Sequence, residues 1–101
     1  MVCAYIIDPV AANEYEEAFA WYEKRSATAA DKFVIAVHDA IVAACNNPKR
    51  YRSTFKNLRE LSLKKYPFNL IYYIDDIRKR IVIVSIYHYK MDPKLKYQSG
   101  L

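Results

Sequence analysis

Apolar and polar positions along the chain change period midway. The opening run "CAYIID" groups β-prone apolar side chains and predicts a short first strand at about residues 3–7. Asp8 followed by Pro9 is a helix start: a capping carboxylate, then a ring whose missing N–H costs nothing at the first helical position. Tyr15, Ala18, Phe19 and Tyr22 then recur at helical spacing, with Glu14, Glu16, Glu17 and Glu23 on other faces, so the first helix should run to near Arg25. "SATAAD" restarts the chain, with Thr28 and Asp31 as a capping-box-like pair. Phe33, Val37, Ala40, Ile41 and Ala44 form one stripe of a second helix, which "NNP" at 46–48 should stop.

Beyond residue 48 the period becomes two. In "NLRELSL", Leu61 and Leu63 fall on one side and Glu60 and Ser62 on the other. "PFNLIYYID" puts Phe68, Leu70, Tyr72 and Ile74 on one face and Asn69, Ile71 and Tyr73 on the other. Both faces are largely apolar, which suits a central strand. "DDIRKR" reads as a hairpin loop, and "IVIVSIY" from Ile81 as the last strand. Three strands joined by short loops are most simply an antiparallel meander. The expected fold is α+β in two layers, with a helix hairpin on one face of a twisted, mainly antiparallel sheet, in the order β-α-α-β-β-β.

A length of 101 residues fits a single domain, taken here as 1–101. No apolar run reaches the roughly 20 residues needed to span a bilayer, and "MVCAYIID" lacks the pattern of a signal peptide. The expected location is cytoplasmic, with no membrane partner. Cys3 and Cys45 make neither a disulfide framework nor a metal site, and both are expected as buried, reduced thiols; no metal or cofactor is implied. The net charge of +5 is unevenly spread. Residues 1–48 carry three Lys/Arg against seven Asp/Glu, and residues 49–101 carry thirteen against four. An anionic partner should therefore meet the C-terminal half.

The stretch "IYHYKMDP" at 86–93 carries the clearest candidate chemistry, because His88 is one of only two histidines and imidazole titrates near neutral pH. His38, in the second helix and off its apolar stripe, reads as a surface or boundary residue. If the last strand alternates without a bulge, His88 shares the core side with Val82, Val84 and Ile86. Ser85, Tyr87 and Tyr89 then face the open side with Asn69, Ile71 and Tyr73, and a bulge before His88 would reverse this. The ten tyrosines among lysines and arginines fit nucleic-acid stacking, and fit equally a covered sheet that meets a protein partner.

Several phrases in order resemble the RelE/ParE superfamily of toxins from bacterial type II toxin–antitoxin modules. They are "WYEKRS", Lys32-Phe33, "NPKRY", "NLRELSLKKYPFNLIYYID" and "IVIVSIYHYKMDPK", and together they span about residues 3–97. The resemblance implies the same fold and a toxin that arrests growth when free of its antitoxin. Its RelE-like branch cuts mRNA on the ribosome; its ParE-like branch poisons DNA gyrase.

Metal-independent RNA cleavage needs a base for the 2′-OH, an acid for the leaving oxygen and cations for the phosphorane. By resemblance to the YoeB-like branch, His88 and Tyr89 take the place of a catalytic pair, and Arg59, Lys64, Lys65 and Lys90 are the phosphate-binding candidates. Two departures weaken that reading. Asn69 stands where the ribonucleases carry a phosphate-stabilising arginine, and Met91 where many relatives have an arginine before Asp-Pro. Losing one such cation would cost on the order of 2–4 kcal/mol in the transition state. A ParE-like toxin is therefore the first reading. A His88/Tyr89 ribonuclease and an inactive antitoxin-binding fold are the alternatives. All three share one partner, a cognate antitoxin whose acidic-amphipathic segment folds on the basic half with salt-sensitive affinity.

Overall fold

The computed structural model describes residues 4–90. In chain order the elements are β1 (Tyr5–Ile7), α1 (Pro9–Arg25), α2 (Ala27–Asn46), β2 (Arg52–Ser53), β3 (Arg59–Ser62), β4 (Phe68–Asp75) and β5 (Arg80–His88). The five strands form one sheet in the order β1-β5-β4-β3-β2, with the two helices packed on one face. The β-α-α-β-β-β order holds, with the two-residue β2 as an addition. β4 is central, as its two apolar faces predict. β1 pairs parallel with β5 and every other pair is antiparallel.

Local chemistry sets the helix ends. Asp8 caps α1, its side chain accepting the Val10 N–H at 2.8 Å, with Pro9 in the first turn. One residue, Ser26, both ends α1 and starts α2. Its N–H donates to Tyr22 O at 2.8 Å and its hydroxyl accepts from Ala29 N–H at 3.2 Å. The second helix thus begins before Thr28, and the cap is Ser26 rather than the Thr28–Asp31 pair.

The α2 stripe of Phe33, Val37, Ala40, Ile41 and Ala44 is buried, and it packs against Phe68, Leu70 and Tyr72 of β4 in one core. Rings gather at one end: Phe33 lies 5.2 Å from Tyr22 and 5.1 Å from Phe68, and Tyr66 donates its hydroxyl to Ala29 O at 2.8 Å.

The last strand departs from simple alternation. Ile71 pairs with Ser85 and Tyr72 with Ile83, so Val84 is an extra residue in a β-bulge. Before the bulge the core side reads Ile81 and Ile83, not Val82 and Val84; after it, Ile86 and His88 hold the core side, so the bulge reverses the residues ahead of it and not, as expected of a bulge, His88. The bulge sits where β1 has ended at Ile7, opposite Ile83, and the chain turns into α1. There Glu14 of α1 takes over the exposed edge, accepting from Ser85 Oγ at 2.9 Å and from Ile86 N–H at 3.0 Å.

Cys45 corrects the cysteine reading: it is buried and disulfide-bonded. Its Sγ lies 3.8 Å from Ala4 O, so the chain leading into β1 passes the end of α2. The other cysteine in the sequence, Cys3, lies outside the described residues.

Candidate functional site

The sheet face opposite the helices is built from alternate residues of β3, β4 and β5. Pairing places Glu60 beside Ile71, Ser62 beside Asn69, and Asn69 beside Tyr87. At its centre is Glu60, a carboxylate with only 9% of its surface exposed. Arg52 of β2 forms a salt bridge to one oxygen. Tyr87 donates its hydroxyl to the other, which also accepts from Asn69 Nδ2 at 3.2 Å. Asn69 Oδ1 accepts in turn from Ser62 Oγ at 2.7 Å.

Burial pushes the Glu60 carboxyl upward, but the hydrogen bonds from Tyr87, Arg52 and Asn69 and the Arg52 charge outweigh it, and the net shift is downward. The Tyr87 phenol moves up, first from burial and then because its proton is engaged with Glu60. The centre of this face is therefore an ionised carboxylate with its donors already in place. Sequence reasoning put Glu60 on the correct face yet assigned it no role. The signal available was a lone carboxylate among seven cations between residues 49 and 65.

The six site residues predicted from sequence do not converge. His88 pairs with Phe68 on the helix side and packs edge-on against its ring at 5.0 Å, closing the aromatic end of the core. Its Nδ1 accepts the Lys90 N–H at 3.2 Å. Tyr89 is exposed, and its N–H donates to Pro67 O at 3.0 Å. That bond brings Tyr89 and Lys90 to the sheet end that also carries Lys64 and Lys65, exposed in the β3–β4 turn. Arg59 lies apart. It pairs with Tyr72 on the helix side, and its Nη1 donates to Lys49 O at 3.1 Å and Tyr51 O at 2.8 Å. Tyr72 donates its hydroxyl to Pro48 O, so the two side chains together hold the loop between α2 and β2. His38 is exposed on α2, as expected. Met91 lies outside the described residues.

Chemically, the face offers a carboxylate that its partners hold ionised, which makes it a weak proton acceptor, and no arginine stands at Asn69. Among the described residues, no group of three His, Cys, Asp or Glu side chains is placed to hold a metal ion. No described helix is long and apolar enough to cross a membrane.

Comparison with known proteins adds the family. Residues 5–93 match the family described as the ParE toxin of the type II toxin–antitoxin system parDE. Among solved structures, the chain resembles one described as the chromosomal ParDE toxin–antitoxin system from P. aeruginosa. The TM-score is 0.72 at 18% identity, covering 85% of this chain and 95% of that one. It also resembles the isolated E. coli RelE toxin, with a TM-score of 0.61 at 12% identity, covering 98% of this chain and 97% of that one. At these identities the two structures speak for the fold alone. No curated protein matches the sequence.

Proposed function

Because the chain belongs to the ParE toxin family of type II toxin–antitoxin systems, we propose that it arrests growth by binding and inhibiting DNA gyrase when its antitoxin is absent. The observation that carries this reading is the Glu60 network. A ribonuclease of this fold would need exposed cations at the centre of the open face, to meet a phosphate that gains charge in the transition state. Here that place holds a carboxylate bonded to Tyr87, Asn69 and Arg52. His88 supplies no base to this face, since its ring closes the core against Phe68. The remaining exposed groups, Tyr89 with Lys64, Lys65 and Lys90, make a contact surface for a large anionic or acidic partner.

One observation favours the ribonuclease alternative: those same three lysines share one end of the sheet with Tyr89, the arrangement that holds a backbone phosphate beside an aromatic ring. Pulse-labelling after induction of the chain alone separates the readings. A gyrase toxin stops DNA synthesis before translation; a ribosome-dependent ribonuclease stops translation first. Growth unaffected by induction would point to an inactive fold.

A further inference from the structure

The sheet has two ends, and the function proposed above uses the end that carries Lys64, Lys65, Tyr89 and Lys90. The opposite end carries two loop tips. Register fixes their placement: Ser53 pairs with Arg59, Arg59 with Tyr72 and Asp75 with Arg80. The β2–β3 loop, residues 54–58, and the β4–β5 loop, residues 76–79, therefore leave the sheet at the same end. With strands about 4.8 Å apart, the two hairpins lie about 10 Å apart across the sheet.

Each tip exposes one large apolar side chain. Ile77, at 89%, and Phe55, at 66%, are the two most exposed among the described residues. Closed turns hold them out. Thr54 N–H donates to Leu58 O and Leu58 N–H to Phe55 O, each at 2.9 Å. Asp75 accepts from the Arg78 N–H at 3.2 Å and pairs with the Arg78 and Arg80 side chains. Cations flank both tips. Lys56 Nζ lies 5.3 Å from the centroid of the Phe55 ring, and Arg78 and Lys79 follow Ile77. Lys56 and Lys79 hold left-handed backbones, at φ 54° and 56°, positions that glycine fills with less strain. Within the two loops the cations Lys56, Arg78 and Lys79 stand against one acid, Asp76.

We propose that these two tips form a second binding surface, for duplex DNA. Phe55 and Ile77 enter the minor groove as wedges at nearby base steps, while Lys56, Arg78 and Lys79 meet the flanking phosphates. The spacing of the tips corresponds to about three base-pair rises of about 3.4 Å. A lipid surface would reward a continuous apolar patch, whereas Asn57 and Asp76 interrupt this one. The surface is separate from the open face and does not depend on gyrase being the target.

The test uses the full chain and a labelled duplex of about 20 base pairs with 2-aminopurine at a central TA step, and no other protein. Fluorescence anisotropy should report binding, and 2-aminopurine emission should rise as the step unstacks. Phe55→Ser/Ile77→Ser should abolish that rise and weaken binding about tenfold or more. Its thermal unfolding should match the parent's, because both side chains are exposed. Lys56→Gln/Lys79→Gln should reduce the slope of log affinity against log salt by about 1.8, the loss of two phosphate contacts. Lys24→Gln should change neither reading, since it lies at the other end of the molecule, where Tyr22 packs on Phe68. Absence of binding, binding with no rise in emission, a rise that Phe55→Ser/Ile77→Ser keeps, or capture by anionic phospholipid vesicles in preference to DNA would overturn the inference. None of these outcomes touches the gyrase reading, which pulse-labelling decides.

Discussion

Tyr87 on β5 reaches across β4 and donates its hydroxyl to the carboxylate of Glu60 on β3. The contact ties three strands together on the open face, and Arg52 extends it to β2. Removing the hydroxyl leaves a nearly buried carboxylate short of one donor. Tyr87→Phe should cost about 1.5 kcal/mol, the lower end for a hydrogen bond to a charged group because Tyr87 is only half-buried. Urea unfolding measures it, and a loss below about 0.3 kcal/mol would mean that water replaces the tyrosine freely.

The same network sets an acid dependence. Glu60 is held below its ordinary value of 4.5 when folded, so the folded chain binds fewer protons than the unfolded chain in that range. Its contribution is complete above about pH 4.5 and is lost as pH falls through the lower folded value. Asp75 works in the same direction, lowered first by the Arg78 backbone N–H, with desolvation opposing and the Arg78 and Arg80 side chains adding to the lowering. Glu60→Gln in an Asp75→Asn background should flatten the stability profile below pH 4.5 relative to Asp75→Asn alone. Parallel profiles from unfolding curves at pH 3–5 would contradict this.

Glu14 carries the edge that β1 abandons. Glu14→Ala removes the acceptor for Ser85 Oγ and Ile86 N–H together and should cost about 1–3 kcal/mol; Ser85→Ala removes one of the two bonds and should cost about 1 kcal/mol. Amide exchange at Ile86 should quicken in Glu14→Ala and change little in Ser85→Ala.

Lys65 holds a left-handed backbone, at φ 68°, in the β3–β4 turn. A side chain with a Cβ costs about 1–2 kcal/mol there, which glycine avoids at some entropic loss. Lys65→Gly should therefore raise stability by about 0.5–1 kcal/mol. If Lys65 contacts a target, the same variant should weaken toxicity despite folding better. A variant that is less stable would show that the side chain packs usefully in the turn.

Much of the fold was legible because two periods dominate the chain. The stripe from Phe33 to Ala44 and the alternation from Phe68 to Ile74 fix what faces the core, and Asp8-Pro9 marks a helix start in purely local chemistry. The Val84 bulge was not legible, because it answers to Glu14, about seventy residues away in sequence. Nor was the isolation of Arg59, whose partners are backbone carbonyls of a loop, which any sequence would supply. The side that His88 takes was not legible, because it hung on whether a bulge precedes it; only the register with Phe68 decides it. The Glu60–Asn69–Tyr87 contacts cross three strands and needed that register before they could be seen.

The central claim is that the open face is built for binding rather than for cutting RNA, and purified components test it most directly. The chain, His88→Ala and Tyr89→Phe would each be incubated with DNA gyrase and relaxed plasmid, and in parallel with translating ribosomes and mRNA. The account predicts that the parent and His88→Ala inhibit supercoiling and leave mRNA intact. Cleavage of ribosome-bound mRNA by the parent, abolished in His88→Ala, with supercoiling unaffected, would contradict it.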